Sequence, residues 1–157
     1  MTSKGPSGPF FVAEASHRLD LVIDTNVVLD MLVFRDPPVL AVLAALASDR
    51  YRWIGCRAMR DELAHVLDRG VGRAFDRGAV LAAYDGAVVE LDPPWAPGVL
   101  RCTDPDDQVF IDLALQRRAH ALLTRDRALL RLARRARGFG VAVVGPALLA
   151  QPAPTAG

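Results

Sequence analysis

Four carboxylates stand where the sequence could build a site for a divalent metal ion: Asp24, Glu62, Asp107 and Asp126. Asp24 directly follows the apolar run 19–23, and Asp126 comes two residues after the apolar run 121–124. If both runs are parallel strands, the two side chains lie at one edge of the sheet, where ligands bind in such folds. Alone, either aspartate could equally be a turn residue or a helix cap. Together they predict a functional edge.

Glu62 lies three residues after Met59 and four before Val66, at the edge of the apolar face of a predicted helix. Burying a carboxylate without a partner is costly, so a charge on that side needs either a cation or a hydrogen-bonding group. The alternative to a metal ion is an ion pair with a nearby arginine such as Arg57 or Arg69.

A third acidic segment, Thr103-Asp104-Pro105-Asp106-Asp107, precedes an apolar helix. The helix dipole favours negative charge at this position, so one or two of the carboxylates could be caps only. Asp107 is the best ligand candidate because it opens the helix at the loop end nearest the strand edge. Asp104 is a capping or supporting residue, and the run leaves the choice among its three aspartates open.

Carboxylates that converge on one edge repel each other unless a cation neutralises them. The two cysteines, Cys56 and Cys102, and the three histidines are scattered without the spacing of a zinc site. All-oxygen ligation fits one or two Mg²⁺ or Mn²⁺ ions. Such ions activate water for attack on phosphorus, so the residues predict hydrolysis of a phosphodiester.

The elements that must position these residues alternate along the chain. Strands are predicted over 19–23, 51–54, 88–91, 121–124 and 141–144, and helices after Thr25 as N-cap and over 36–47, 57–67, 73–84, 107–118 and 127–137. A proline-rich loop is predicted over 92–103. This alternation predicts an α/β fold, a three-layer α/β/α sandwich around a mainly parallel sheet of four or five strands.

The composition fits one globular domain, since 52% of the 157 residues are hydrophobic and 24% are charged. The domain is predicted over 18–149, between flexible tails at 1–17 and 150–157. No apolar stretch is long enough to cross a bilayer or resembles a secretion signal, so we expect a cytoplasmic protein that does not enter the membrane.

The order of these motifs resembles that of PIN-domain nucleases, in the VapC-like branch of toxin components of toxin–antitoxin pairs. The resemblance covers about residues 19–144. It rests on Val22-Ile23-Asp24-Thr25-Asn26, Arg60-Asp61-Glu62-Leu63, Asp104-Pro105-Asp106-Asp107-Gln108-Val109-Phe110 and Leu122-Leu123-Thr124-Arg125-Asp126-Arg127-Ala128-Leu129-Leu130. Each motif is weakly specific alone, and their combination is strong.

The resemblance implies a Mg²⁺- or Mn²⁺-dependent endoribonuclease whose metal ligands are Asp24, Glu62, Asp107 and Asp126. It also implies that Asn26 and Thr124 support the site through hydrogen bonds, and that the protein has RNA as substrate, a small antitoxin as partner and a homodimeric state. Three alternatives stay open: a non-catalytic PIN-like binding module, a nuclease acting on single-stranded DNA, and one acting on structured nucleic acid. An aspartyl phosphatase is disfavoured because Asp24-Thr25-Asn26 lacks the second aspartate of Asp-x-Asp.

Arginines cluster late in the sequence, and their forked guanidinium groups match phosphate oxygens. Arg125 and Arg127 are the predicted substrate-binding residues because they flank Asp126, whereas most others fit a solvated helix face equally well. The aromatic residues are dispersed along the chain, so the sequence predicts no stacking platform and no base preference.

Overall fold

A computed structural model describes residues 17–95 and 98–149. The predicted flexible tails lie, apart from His17, outside the described residues. Ala96 and Pro97 of the predicted loop also lie outside them.

Strands and helices alternate through the described chain. The first half contains β1 Leu19–Ile23, α1 Thr25–Leu29, a π-helical turn Asp30–Phe34, α2 Pro37–Ala47, β2 Tyr51–Cys56, α3 Arg57–Arg69, α4 Arg77–Ala87 and β3 Val88–Leu91. The second half contains a 3₁₀ turn Pro105–Asp107, α5 Gln108–Gln116, β4 Ala121–Leu123, α6 Arg127–Leu130, α7 Ala133–Arg137, β5 Ala142–Val144 and α8 Pro146–Leu149.

The five strands found in the described ranges form one sheet in the order β3-β2-β1-β4-β5, and every neighbouring pair is parallel. The predicted α/β fold with a parallel sheet is therefore confirmed. The chain order reverses at β1, which pairs with β2 on one side and β4 on the other. This reversal opens a crevice beyond the carboxyl ends of β1 and β4, which is the usual ligand site of such sheets.

Both faces of the sheet are covered because side chains alternate along each strand. On β1, Leu21 and Ile23 belong to one apolar cluster together with Val39 of α2. Val22 belongs to the other cluster, together with Phe110 of α5 and Leu129 of α6. The strands therefore read as continuous apolar runs, as expected for a parallel sheet between two helical layers.

Three of the predicted helices begin or divide differently from the prediction, and other predicted helix ends shift by one to three residues. Thr25 is the first residue of α1, and the extended residue before the helix is Asp24. The helix predicted from Arg73 begins only at Arg77, because Gly70 and Gly72 adopt positive φ angles and Asp76 caps α4 by accepting a hydrogen bond from Ala79 N. The helix predicted over 127–137 divides into α6 and α7. Between them, Leu132 N donates a hydrogen bond to Leu129 O, three residues back instead of four.

No helix in ranges 17–95 and 98–149 combines the length and the apolar character that a bilayer crossing requires.

Candidate active site

Thr124 links the residues that follow β1 and β4. Asp24 N donates to Leu123 O at 2.9 Å, which brings the residues after the two strands together. The hydroxyl of Thr124, fully buried, donates to Oδ2 of Asp24 at 2.7 Å and accepts from Asp126 N at 2.9 Å. Thr124 therefore fixes Asp24 and the backbone of Asp126 relative to each other.

Glu62 reaches the same edge from α3. Its Oε2 accepts a hydrogen bond from the hydroxyl of Thr25, the residue after Asp24. Arg57 instead pairs with Asp61 at 3.4 Å, and the ion pairs within the described residues include neither Glu62 nor Arg69. The arginine alternative for Glu62 is therefore not what the structure contains. Its position beside the strand edge is set by Thr25.

Two of the predicted carboxylates do cap helices. Oδ1 of Asp126 accepts from Ala128 N at 2.8 Å and from Leu129 N at 3.4 Å, at the start of α6. Asp104 is exposed and its Oδ1 accepts from Asp106 N at 3.0 Å, at the start of the 3₁₀ turn. Capping does not remove Asp126 from the site, because both cap bonds use one carboxylate oxygen.

Asp107 is the buried member of its segment. The residue is 9% exposed, and its Oδ2 is buried without a hydrogen-bond partner among the described residues. Buried polar atoms are almost always paired, so an orphaned carboxylate oxygen calls for a ligand. Burial, and then the charges of the surrounding carboxylates, raise the pKa of Asp107 to about 7. The carboxylates that raise it, from the largest effect to the smallest, are Asp24, Asp126, Asp104 and Glu62.

Asp24 shares this environment. Its pKa is raised to about 6, mainly by burial and also by the charges of Glu62 and Asp126, against the hydrogen bond from Thr124, which lowers it. The mutual repulsion shows that the structure brings the four predicted carboxylates into one electrostatic cluster, although they are far apart in the chain. We call Asp24, Glu62, Asp107 and Asp126 the carboxylate cluster.

In the described part of the chain, no three histidine, cysteine, aspartate or glutamate side chains form a ready-made metal-binding group. The donor set nevertheless fits a hard divalent cation. All of its donors are carboxylate oxygens, the ligands that Mg²⁺ and Mn²⁺ prefer. Oδ2 of Asp107 has no partner among the described residues, and the raised pKa values of Asp24 and Asp107 show that both groups are costly to ionise. A bound cation would relieve this cost, because a nearby positive charge favours the ionised form of each carboxylate.

An open cleft of about 650 Å³ lies beside the cluster. Asp126 is part of its wall, together with Asn26, Asp30, Phe34, Asp104, Arg125 and Arg127. Asn26 is exposed at the cleft, and the side-chain hydrogen bonds of the described residues do not connect it to the cluster. Arg127 is exposed and lies outside the ion pairs of that same part of the chain.

Asp30 is a site residue that the sequence reasoning missed. It is 5% exposed, lies in the π-helical turn and binds the guanidinium of Arg125, which Asp36 also approaches at 4.0 Å. Its position between Leu29 and Met31, within the apolar stripe of a helix, was the available signal. A buried carboxylate there requires a cation, and the strand-to-helix turn of the site supplies Arg125.

The parallel sheet and the carboxylate cluster at its switch point define an α/β protein with an acidic site at the strand ends. The sequence matches the model of the PIN domain over residues 20–128, more than half of the chain, and the chain therefore belongs to the PIN-domain family. PIN domains are generally nucleases. No curated protein matches this chain.

Proposed function

We propose that this protein is a Mg²⁺- or Mn²⁺-dependent endoribonuclease that hydrolyses RNA phosphodiester bonds at the carboxylate cluster. The observation that carries the proposal is Oδ2 of Asp107. It is buried, has no hydrogen-bond partner among the described residues, and lies close to the charges of three other carboxylates at the edge where the strand order reverses. The mutual repulsion of these carboxylates supports a cation as their partner.

The cluster would hold one or two ions through Asp24, Glu62, Asp107 and Asp126. When bound, such an ion lowers the pKa of a water molecule and stabilises charge on the phosphodiester oxygens. The protein's own contribution is orientation. Thr124 fixes one oxygen of Asp24, Thr25 holds Glu62, and the cap bonds at Oδ1 of Asp126 leave its other oxygen for a ligand.

The cleft beside the cluster supports a phosphate backbone as the substrate. Arg127 is exposed in its wall, and its guanidinium can bind phosphate oxygens without reading the base. Arg125 is tied to Asp30, so we assign it mainly to holding the turn that carries Thr124 and Asp126. A phosphate would have to compete with Asp30 for it.

The finer assignments rest on the sequence resemblance to the toxin branch of the family. We propose RNA as the substrate, a small antitoxin as a partner, a homodimer as the assembly and the cytoplasm as the location. Asn26, at the cleft wall, would support the site by a hydrogen bond to bound substrate or water.

The test is cleavage of mixed RNAs and of single-stranded DNA with Mg²⁺, Mn²⁺ or EDTA. We expect metal-dependent cleavage of RNA that Asp24→Asn abolishes. Asp106→Asn is the matched control, because Asp106 is exposed in the acidic segment that contains Asp107. Calorimetric titration with Mn²⁺ accompanies the assay.

Three outcomes contradict the proposal. Cleavage that survives both EDTA and Asp24→Asn excludes the carboxylate mechanism. Mn²⁺ binding without cleavage of any nucleic acid favours a non-catalytic binding module, and cleavage restricted to DNA overturns the choice of RNA.

A further inference from the structure

The loop before the acidic segment is fastened to α5 by three polar side chains one helical turn apart: Gln108, Asp112 and Gln116. Trp95 N donates to Oε1 of Gln116 at 2.9 Å, and Gly98 N donates to Oδ1 of Asp112 at 2.9 Å. Residues four apart lie on one face of a helix, so the three form a ladder along it.

The ladder continues toward the active site. Cys102 N donates to Oε1 of Gln108 at 2.8 Å, and Nε2 of Gln108 donates to Leu100 O at 2.8 Å and to Oδ1 of Asp112 at 3.0 Å. The described loop residues therefore have a defined backbone course. The backbone of Trp95 is held against α5, and the residue is 80% exposed.

Trp95 lies in an apolar patch at the end of α5 that is distant from the cluster. Val99 is 57% exposed and Phe139 is 52% exposed, and both share with Trp95 and Arg118 the wall of a cavity of about 520 Å³. This volume falls in the range of about 300–1,000 Å³ that is usual for small-ligand pockets. We call Trp95, Val99, Arg118 and Phe139 the aromatic patch.

The two aromatic rings of the patch are available for stacking. Two aromatic pairs occur among the described residues, Tyr51 with His120 and Trp53 with Tyr84. Neither Trp95 nor Phe139 belongs to either pair. The arginines that lie over aromatic rings in the described ranges cover Tyr51 and Phe34 instead. Exposed large apolar side chains that share one cavity wall are typical of a binding surface.

The charge near the patch is positive. Arg118 is exposed with a left-handed φ of 51°, and Arg117 beside it is also exposed. Neither takes part in the ion pairs found within residues 17–95 and 98–149. The acidic group in the wall, Asp112, accepts its hydrogen bonds from within the ladder. The ligand should therefore combine a flat apolar ring with a negative charge.

We propose that the aromatic patch binds single-stranded RNA outside the cleft, with a base stacked against Trp95 and Phe139 and a phosphate at Arg118. Stacking on aromatic side chains and arginine contacts to the backbone are how proteins hold unpaired nucleotides without sequence preference. From the helical rise, the patch lies roughly 15 Å from Asp107 along α5, so it engages a different nucleotide from the one that is cleaved. The inference takes RNA from the proposed function as the ligand class.

The two tryptophans make a direct test feasible. Trp53 is 3% exposed and Trp95 is 80% exposed, so a ligand that stacks at the patch quenches only the solvent-exposed part of the emission. The probe is a 2′-O-methyl oligouridylate of about 10 nucleotides, within the usual range of single-strand binding sites, added in EDTA so that no cleavage intervenes. We expect saturable quenching of the wild type and of Asp24→Asn, which keeps the patch intact.

Variants are compared by the anisotropy of a labelled probe. We expect Trp95→Ala to weaken binding about ten-fold, and Trp95→Phe to bind nearly as the wild type because it keeps a ring. Arg118→Asn, which tolerates a left-handed φ, should weaken binding and flatten its salt dependence. Leu40→Ala is the matched control, since Leu40 is 45% exposed on α2.

The proposal is overturned if the probe leaves the emission unchanged or if Trp95→Ala binds it as tightly as the wild type. Tryptophan emission that changes with protein concentration and not with the probe would also overturn it, and would indicate that the aromatic patch is an interface between copies of this chain. Failure here with normal metal-dependent cleavage refutes the patch alone. Quenching in a protein that cleaves no RNA refutes the proposed function and leaves the patch.

Discussion

The two ends of α5 differ in how their polar groups are satisfied. At the N-terminal end, Asp107 is buried among carboxylates whose charges oppose its ionisation, and its Oδ2 has no partner within residues 17–95 and 98–149. Toward the other end, Asp112 and Gln116 have backbone partners, and the unsatisfied surface is apolar, at Trp95 and Phe139. A cation suits the first end and an apolar ring suits the second, so the two ends call for different ligands.

The first prediction removes charge from the carboxylate end without disturbing its fold. Asp126→Asn keeps an oxygen able to accept the cap bonds from Ala128 and Leu129, because asparagine caps helices about as well as aspartate. We expect activity to fall by at least about 100-fold, since a metal ligand is lost, with little change in unfolding free energy. Initial cleavage rates and urea unfolding measure the two effects.

The matched control for that variant is Asp76→Asn. Asp76 caps α4 by the same type of bond, to Ala79 N, and lies outside the cluster and the cleft. Asp76→Asn should therefore keep wild-type activity. Equal loss of activity in both variants would mean that neutralising any helix-capping aspartate, and not removing a metal ligand, lowers the activity.

The second prediction concerns the hydroxyl that joins β1 to β4. Thr124→Val removes the donor to Asp24 and the acceptor for Asp126 N while keeping the side-chain volume. Loss of a group that orients metal ligands lowers activity by about 10- to 100-fold, which kcat under saturating metal measures. Thr103→Val, at an exposed position of the loop, should keep wild-type activity. A Thr124→Val enzyme with full kcat would show that Asp24 needs no such support.

The third prediction tests the electrostatic strain in the metal-free protein. The pKa of Asp107 is raised from its ordinary 3.8 to about 7 in the folded state, so its stabilising contribution is complete below pH 3.8 and is lost as pH rises through 7. In EDTA at pH 8, Asp107→Asn should therefore raise the free energy of unfolding by about 2 kcal/mol. At pH 4 the difference should nearly vanish.

Asp106→Asn serves as the control for that titration because the side chain is exposed. Urea unfolding at the two pH values, with and without Mg²⁺, measures the effect. A pH-independent difference between Asp107→Asn and the wild type would contradict the raised pKa and point to a packing effect.

The smallest expected effect is at the other end of α5. Gln116→Ala removes the acceptor for Trp95 N, which costs about 1 kcal/mol or less because the bond is at the surface. Hydrogen exchange at the Trp95 amide should accelerate, while cleavage of short RNAs is unchanged. Arg117→Ala, one position along, is the control for exchange. Unchanged protection in Gln116→Ala would mean that the ladder does not hold the loop.

The amino-acid sequence alone determined the order and type of most elements. β1 and β3 have their predicted ends, and α2 begins at Pro37 as its prolines indicate. These elements are predictable because apolar runs and proline act locally. The start of α4 was not predictable, because it depends on the backbone angles at Gly70 and Gly72. The division between α6 and α7 was not predictable either, because it depends on a single hydrogen bond from Leu132 N to Leu129 O.

The sequence also supplied the candidate carboxylates, because aspartate after an apolar strand and glutamate on an apolar helix face are local signals. Only the tertiary structure decided which residues of the site contact each other. Thr25 binds Glu62 and Asp30 binds Arg125, contacts that span 37 and 95 residues of the chain. The aromatic patch is of the same kind, since Trp95 and Phe139 share a cavity wall although the sequence separates them. Contacts between distant residues depend on the crossovers of the sheet, which periodicity does not encode.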